Sequence, residues 1–269
     1  MMKLEPKMSF KDYQNADGIN QSTIKQVLEN PHLWALGMAE DKCSAAMDFG
    51  TLCHDLILTP QEIDNGEKYH IARDIDKLDR RKKEHKEIAE KAEKEGKILI
   101  DGQAYLKALE LYRANDKSLA TLIDPEAGDC EVAVFNAIQG VECKGRLDYF
   151  SHSKKQICDL KIVQNASKDG FMQAVAKFGY HIQAAFYLDL TGARNFYFIA
   201  IEKEKPYMMG VYELTPEAID LGREKYLKAF EIMANRDLYA TNHYFGKRDD
   251  GSREIVQTIT LPTYAFYKD

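Results

Sequence analysis

An acid and a base stand inside a segment that otherwise has the composition of a buried strand. In residues 156–163, QICDLKIV, Asp159 and Lys161 alternate with apolar side chains. A charged group is costly to bury unless it is paired or bound to something. The pattern D-x-K alone is weak, since most such pairs are surface ion pairs worth less than ~1 kcal/mol. The apolar flanks favour a functional site over an exposed edge pair.

A second carboxylate is expected beside this pair. Side chains alternate along a strand, so the strand-like segment 141–150 should have a polar face and an apolar face. If it forms a hairpin with 156–163, Asp148 and Asp159 meet on one surface next to Lys161. The predicted polar face carries Glu142, Lys144, Arg146 and Asp148, and the opposite face carries Cys143, Leu147 and Tyr149, with Gly145 between them.

Two neighbouring carboxylates predict a bound cation. They repel each other, and one takes up a proton unless a cation lies between them. Oxygen ligands suit Mg²⁺ or Mn²⁺, so Asp148 and Asp159 are predicted metal ligands and catalytic residues. Lys161 would contact the same site without being a ligand. It could orient or deprotonate a water while the metal stabilises the charge that develops on a phosphate.

Three weaker features point to the same site. Glu131 opens a strand-like segment, where it could add a carboxylate, orient a ligand or simply end a strand. His54 follows Gly50 by one helical turn, so no side chain would cover its ring on that face. A lone helix histidine is nevertheless more often a core or surface residue. Gln183 and Tyr187 are i,i+4 neighbours on one helix face, a spacing that simple packing also produces.

Apolar periodicity and capping residues predict the elements that position these side chains. Their order predicts one α/β domain over 1–269, with a mainly helical section (1–127), a mixed sheet with helices (128–240) and a tail (241–269). Predicted helices are 22–30 capped by Asn20 or Ser22, one starting at Pro31, 45–58, a solvated charged helix in 74–96, 102–114 capped by Asp101, 167–178, 181–192, and 216–235 capped by Thr215. Predicted strands are 130–135, 141–150, 156–163, 195–204, 207–214 and one in the tail.

Composition limits the function classes. The net charge is −6 over 269 residues, which disfavours a general nucleic-acid coat but leaves room for a local basic groove. No apolar run approaches the ~18 residues that cross a membrane, and the N-terminus lacks the apolar region of a secretory signal. A cytoplasmic protein with no membrane partner is therefore expected. The five cysteines include no C-x-x-C pair and predict buried, reduced thiols.

Taken in order, several segments resemble the RecE-type (exodeoxyribonuclease VIII-like) exonucleases of the PD-(D/E)XK nuclease superfamily. The resemblance runs from about residue 18 to 266, and its specificity lies in the order and spacing of the segments. They are GTLCHDLIL (50–58), Glu131, GRLDYF (145–150), DLK (159–161) and QAAFY (183–187), with further matches in INQSTIKQVLENPHLW (19–34), GYHIQAAFYLD (179–189), FIAIEKEKPY (198–207) and LPTYAF (261–266).

The resemblance implies a restriction-endonuclease-like core, in which helices flank a central mixed sheet and a helical N-terminal section packs on it. It also implies a magnesium-dependent exonuclease, with manganese as a substitute, that degrades linear double-stranded DNA from the 5′ end. The 3′ single-stranded tails would serve recombination. Implied partners are DNA ends, further copies in a homo-oligomeric ring and a single-strand annealing protein, in a bacterial or phage-infected cell.

The resemblance also assigns roles to individual residues. It makes Lys161 the residue that positions the attacking water, and it brings Gln183 and Tyr187 close to the metal and the DNA. The implied metal ligands are His54, Asp148, Asp159 and the backbone carbonyl of Leu160. A local groove for phosphates is predicted from Lys25, Lys144, Arg146, Lys168 and Lys177.

Two other functions stay open at this point. One is a structure-specific DNA endonuclease with the same core, which would cut closed circular duplex as well as linear duplex. The other is a non-catalytic DNA-binding assembly protein. The set of Asp148, Asp159 and Lys161 argues against the second, because a scaffold does not need so costly a trio.

Overall fold

The fold is given by a computed structural model that describes residues 2–6, 8–39, 45–79, 81–244, 246–247, 253–260 and 262. Two sequence predictions, one on the segment LPTYAF (261–266) and one on Cys43, lie outside the described residues apart from Pro262. Of the described cysteines, Cys53, Cys143 and Cys158 are buried and Cys130 is half-buried, all as free thiols. Within these residues, no helix is long and apolar enough to cross a membrane.

The N-terminal section is mainly helical, as predicted. It begins with a short strand that joins the main sheet, and it contains a two-stranded parallel ladder of its own. Its elements are β1 (Lys3–Glu5), α1 (Phe10–Asn15), α2 (Gln21–Glu29), α3 (Pro31–Ala35), α4 (Ala45–Leu58), α5 (Gln61–Asp64), β2 (Tyr69–Ala72), α6 (Lys83–Lys94), β3 (Ile98–Asp101) and α7 (Gly102–Leu122).

The remaining elements form the sheet and the helices that cover it. They are β4 (Gly128–Ile138), β5 (Val141–Ser151), β6 (Gln156–Val163), α8 (Lys168–Phe178), α9 (Tyr180–Thr191), β7 (Asn195–Glu202), β8 (Met209–Glu213), α10 (Pro216–Ala234), α11 (Arg236–Tyr239), β9 (Gly246–Lys247) and β10 (Arg253–Glu254). The division of the chain into sections stays a prediction.

The central sheet has six strands in the order β1-β4-β5-β6-β7-β8. Only β6 and β7 run parallel, and the other neighbours are antiparallel. The parallel pair is joined through α8 and α9, the helical crossover that parallel neighbours require. The predicted α/β class with a mixed central sheet flanked by helices is therefore confirmed.

Apolar side chains cover both faces of this sheet. Along β7, Phe198 belongs to a cluster with α2, α8, α9 and α10, while its neighbour Ile199 belongs to a second cluster with α4 and α7. Successive side chains of a strand point to opposite faces, so the two clusters are the two sides of one sheet. The strands are consequently buried from both sides, which explains their near-continuous apolar composition.

The local signals in the sequence placed most helix ends correctly. Asn20 accepts from the backbone of Thr23 as the N-cap of α2, and Thr215 caps α10 in the same way. Gly179 has φ +67° and lies between α8 and α9. One helix prediction was too long: among the described residues of the charged segment 74–96, the helix covers only 83–94.

The predicted alternation along β5 is also wrong at one place. Cys143 and Leu147 lie in the cluster with α9, but Tyr149 lies in the opposite cluster with α4 and α7. The change of side occurs at Asp148, which faces Glu131 of β4. Glu131 has φ +54°, a left-handed conformation that non-glycine residues rarely adopt, and it interrupts the ladder there.

Candidate active site

The hairpin of β5 and β6 opens at the two predicted aspartates. The strands pair through Tyr149 and Cys158, and the ladder stops before it would reach Asp148 and Asp159. At this point the backbone N–H of Leu160 donates instead to Oδ2 of Asp148, at 2.7 Å. The Asp148 carboxylate thus takes the place of a backbone carbonyl as the acceptor for Leu160. Asp148 and Asp159 both lie where the β5–β6 ladder ends.

Glu131 contributes a third carboxylate from the neighbouring strand. It would be the β4 partner of Asp148, but the ladder skips this pair between Cys130–Tyr149 and Val132–Leu147. Its carboxylate forms an ion pair with the guanidinium of Arg146. The sequence allows three roles for Glu131: a metal ligand, a residue that orients a ligand, or a charged strand end. In the structure its carboxylate lies next to His54 and Asp148.

His54 reaches the same point from the helical section. Its Nδ1 lies 3.5 Å from Oδ2 of Asp148. The next residue, Asp55, is buried and anchors α4 to β2, because it accepts from the Tyr69 hydroxyl at 2.7 Å and pairs with Lys68 at 2.5 Å. These two contacts of Asp55 limit the rotation of α4 about its axis, and so they hold His54 toward Asp148.

His54, Glu131 and Asp148 offer ligand atoms that all lie within 4.8 Å of one another. Two ligands at ~2.1 Å from one Mg²⁺ can be at most ~4.2 Å apart, so a small contraction brings the three groups around one ion. One imidazole and two carboxylates form a donor set that divalent cations accept. The cluster therefore fits a divalent metal, and it fixes no particular element.

The electrostatics of the cluster also favour a cation. Burial and then the negative charge of Asp159 raise the pKa of Asp148 to about 7, against the opposing effect of Lys161. Burial and then Asp148 raise the pKa of Glu131, although Arg146 opposes them. A cation among these carboxylates would offset both the burial and the repulsion.

The charge state of His54 suits the same arrangement. Burial lowers the pKa of His54, and the positive charge of Lys161 lowers it further. The negative charges of Asp159 and Glu131, and then a hydrogen bond with the backbone of Leu160, act in the opposite direction with smaller effect. His54 is therefore neutral near pH 7, and the neutral imidazole is the form that binds metals.

Asp159 and Lys161 lie beside this cluster as a buried ion pair. Asp159 is 1% exposed, and its Oδ2 contacts the ammonium of Lys161. Its Oδ1 accepts from Nε2 of Gln183 at 2.5 Å. Burial lowers the pKa of Lys161, but Asp159 and then Asp148 outweigh it and the net shift is upward. Asp159 thus lies close to Asp148 without belonging to the three-residue group.

Comparison with known proteins gives this constellation a family. The family model of a PDDEXK-like domain of unknown function (DUF3799) matches residues 21–235. The chain belongs to this family. The predicted membership of the PD-(D/E)XK superfamily is therefore confirmed, whereas the narrower RecE type stays a prediction. No curated protein matches the chain.

Two solved structures are similar to this PDDEXK-like chain. A "putative exonuclease" from Eubacterium rectale matches with a TM-score of 0.60 and 16% identity, over 87% of this chain and 88% of that one. At this identity the likeness establishes the shared fold. A phage-related exonuclease from Haemophilus somnus matches with a TM-score of 0.38 and 11% identity, over 85% of this chain and 99% of that one.

In the PDDEXK-like chain, Gln183 and Tyr187 are buried rather than facing a DNA-binding surface. Gln183 holds Asp159, as described above. Tyr187 packs against the backbone of β5, where a Cβ on Gly145 would lie 2.9 Å from its Cε1. Gln183 therefore orients Asp159, and Tyr187 supports β5 from its buried face. Because both side chains are buried, neither is placed to contact DNA directly.

The predicted basic groove is corrected at Lys144. This residue is 5% exposed, and its ammonium donates to the carbonyls of Tyr13, Gln14 and Ala16 at 2.5–3.1 Å. These carbonyls end α1, where a positive charge is favourable. Lys144 is consequently a helix-capping residue, and it is not available to a phosphate. The alternation along β5 predicts on which face of the strand Lys144 lies, but it does not predict which groups Lys144 contacts.

Two further residues near the site escaped the sequence prediction. Asp55 follows His54 directly, and an acid within the apolar helical segment LCHDLIL (52–58) was the sequence signal for an anchoring role. Tyr180 begins α9, three residues before Gln183, and its ring centroid lies 5.0 Å from the ammonium of Lys161. Nothing in the local sequence distinguishes Tyr180 from an ordinary core aromatic residue.

Proposed function

We propose that this protein is a divalent-metal-dependent nuclease that hydrolyses phosphodiester bonds of DNA. The observation that carries the proposal is the convergence of His54, Glu131 and Asp148 within 4.8 Å, with the Asp159–Lys161 pair beside them. Three buried or half-buried acids and a histidine are costly to place together, and a bound cation accounts for that cost. Membership of a PDDEXK-like family supports the same chemistry.

The proposed ligands are His54, Glu131 and Asp148, to which we add Asp159 and the carbonyl of Leu160. When bound, the metal would polarise a phosphoryl oxygen and lower the pKa of a water. Asp148 accepts the backbone N–H of Leu160, which fixes that carboxylate toward His54.

Lys161 is the proposed water-positioning residue. Its raised pKa keeps it charged at neutral pH, so its ammonium donates hydrogen bonds and does not remove a proton. Of the two roles predicted for this lysine, we therefore favour orientation of the attacking water over its deprotonation. The buried Gln183 shares Asp159 with Lys161 and limits the directions in which that carboxylate can turn.

We further propose Mg²⁺ as the metal, with Mn²⁺ as a substitute, and linear double-stranded DNA as the substrate. Degradation from 5′ to 3′ would leave 3′ single-stranded tails for recombination. A homo-oligomeric ring on the DNA and a single-strand annealing protein are the proposed partners. These finer points are supported by the ordered RecE-like segments. The Eubacterium rectale structure is named as an exonuclease, which supports the exonuclease action alone.

A cleavage assay on two DNA forms tests the proposal. Linear duplex labelled at either the 5′ or the 3′ end is compared with covalently closed circular duplex, in Mg²⁺, in Mn²⁺ and in EDTA. We expect loss of the linear form only, with early release of the 5′ label and no reaction in EDTA. Asp159→Ala, with Asp116→Ala on the exposed face of α7 as a matched control, should abolish the reaction.

The other outcomes separate the alternative functions. Equal cleavage of the circle would favour the structure-specific endonuclease. Absence of cleavage by the unsubstituted protein in both metals would overturn the nuclease proposal and favour a DNA-binding assembly protein. Metal-independent cleavage would show that the acidic cluster is not the reacting site.

The phosphate groove is proposed from the lysines that remain accessible, which are Lys25, Lys168 and Lys177. Arg146 is engaged with Glu131 and with the carbonyl of Met8 at 3.3 Å, so its contribution to DNA binding would be indirect. Charge reversal at Lys168 should weaken DNA binding and reduce its salt slope by about one. An unchanged slope would remove Lys168 from the groove.

A further inference from the structure

A row of aromatic rings and lysines leads outward from the buried ion pair. It consists of Lys25, Lys177, Phe178 and Tyr180, here called the aromatic–lysine surface. The centroid of the Tyr180 ring lies 5.0 Å from the ammonium of Lys161 and 5.7 Å from that of Lys25. The next ring outward is Phe178, whose centroid is 5.7 Å from that of Tyr180.

The outer ring is exposed although it is held firmly from below. Phe178 is 49% exposed, and it ends α8 at the left-handed residue Gly179. Tyr180 beneath it stacks on Phe171 at 6.0 Å and packs on Phe198 at 5.8 Å. Phe178 thus presents aromatic surface to solvent on a rigid support, next to the site where the scissile phosphate would bind.

The charged groups that lie over these rings are the ammonium groups of lysines. The ammonium of Lys177 lies 5.2 Å above the ring of Phe178. Among the described residues, no carboxylate lies within ion-pair distance of Lys25 or Lys177. Lys25 is half-buried, and burial followed by the charge of Lys161 lowers its pKa to about 8, while Asp159 acts in the opposite direction. An anion beside Lys25 would favour its charged form, so the two lysines make the surface complementary to a phosphate backbone.

We propose that the aromatic–lysine surface binds unpaired nucleotides next to the bond that is cut. A base would stack on Phe178 in place of the Lys177 ammonium, and Lys177, turned aside, would contact an adjoining phosphate together with Lys25. The combination of stacking rings and positive charge is how proteins hold single strands without reading sequence. Bases inside a duplex are covered by their neighbours, so the ligand is a frayed or overhanging strand. The inference rests on the proposed nuclease function and names its substrate class.

Fluorescence of 2-aminopurine tests the stacking directly. The probe is a duplex with a short 5′ single-stranded overhang that carries 2-aminopurine, and Ca²⁺ replaces Mg²⁺ to limit cleavage. We expect the unsubstituted protein to quench the probe and to bind it more tightly than a blunt duplex. Phe178→Ala should remove the quenching and weaken overhang binding at least about fivefold, while Phe178→Trp should retain both.

The control is Met172→Ala, since Met172 is 58% exposed on the same helix and has no aromatic ring on which a base could stack. It should leave quenching and affinity unchanged. Lys177→Ala should lower the salt slope of overhang binding by about 0.7. Met172, Lys177 and Phe178 are all exposed, so their substitution should leave the Tm nearly unchanged. A thermal unfolding measurement on each variant therefore verifies that it is folded.

The outcomes distinguish this inference from the proposed function. If no quenching occurs, or if Phe178→Ala and Met172→Ala behave alike, the stacking surface is refuted even in a protein that cuts DNA. If quenching depends on Phe178 but no cleavage occurs in Mg²⁺ or Mn²⁺, the surface is supported and the nuclease proposal fails.

Discussion

Replacing Asp148 by asparagine should stabilise the metal-free protein, although it removes a central residue of the proposed site. Asp148 is buried beside Asp159, and its pKa rises from 3.8 to about 7. One pKa unit corresponds to ~1.4 kcal/mol, so the ionised carboxylate costs up to about 4 kcal/mol of stability above pH 7. Asparagine has nearly the same shape and can still accept the N–H of Leu160 through Oδ1.

The raised pKa of Asp148 determines how the stability of the folded protein changes with pH. Between the unfolded pKa and the folded pKa, the folded protein retains a proton that the unfolded chain has released. Stability therefore falls as the pH rises from about 4 to about 7, and the loss is complete at pH 8. The advantage of Asp148→Asn should grow by about 3 kcal/mol between pH 5 and pH 8.

Thermal and urea unfolding in EDTA at pH 5 and pH 8 measures this difference. For a chain of this size, each kcal/mol moves Tm by about 2–4 °C, so the effect is well resolved. Asp116→Asn, at an exposed position of α7, is the control and should show no pH-dependent gain. Adding Mg²⁺ should raise the Tm of the unsubstituted protein by mass action and should not raise that of Asp148→Asn.

Two results would refute the reasoning. The first is an Asp148→Asn protein that is destabilised to the same extent at pH 5 and pH 8, which would mean that Asp148 acts only through its hydrogen bond. The second is an equal Mg²⁺-induced rise in Tm for both proteins, which would remove Asp148 from the metal site.

Three further predictions concern individual residues. Lys161→Ala should keep the Mg²⁺-induced rise in Tm but lower the cleavage rate at least about 100-fold, and wild-type turnover in the end-labelled assay would exclude the water-positioning role. Lys144→Met should lower the free energy of unfolding in urea by about 2–3 kcal/mol, because three carbonyls lose a charged donor. The DNA affinity of this variant and its salt slope should stay unchanged. A reduced salt slope would show that Lys144 does belong to the phosphate groove. Gly145→Ala should cost about 1–3 kcal/mol, since its Cβ would meet Tyr187 at 2.9 Å, whereas Gly50→Ala, with nothing within 4 Å of the new Cβ, should be neutral or stabilising.

The sequence by itself determined where most of the elements lie and which family the chain resembles. Helix limits depend on local chemistry, such as the Asn20 and Thr215 caps and the left-handed Gly179. Strands depend on apolar runs between turns. Both kinds of signal act over a few residues, so they can be recognised without knowledge of the tertiary contacts.

The grouping of the site residues was decided only by the tertiary structure. The sequence placed Asp148 with Asp159 as the pair that shares a cation, because alternation along two strands predicts it. In the folded chain, Glu131 interrupts the ladder at φ +54°, and the three residues whose possible ligand atoms lie within 4.8 Å of one another are His54, Glu131 and Asp148. Side-chain direction at a broken ladder depends on both neighbouring strands, which a periodic pattern cannot express.

The roles of the charged residues were likewise decided by their partners. Lys144 has the residue type and the strand position of a groove lysine, but the end of α1 folds onto it and takes all its donors. Lys177 and Phe178 look like an ordinary helix end and become a surface only because Tyr180 lies beneath them. Charge and apolarity are written in the sequence, whereas the partner that each group meets is fixed by contacts between segments far apart in the chain.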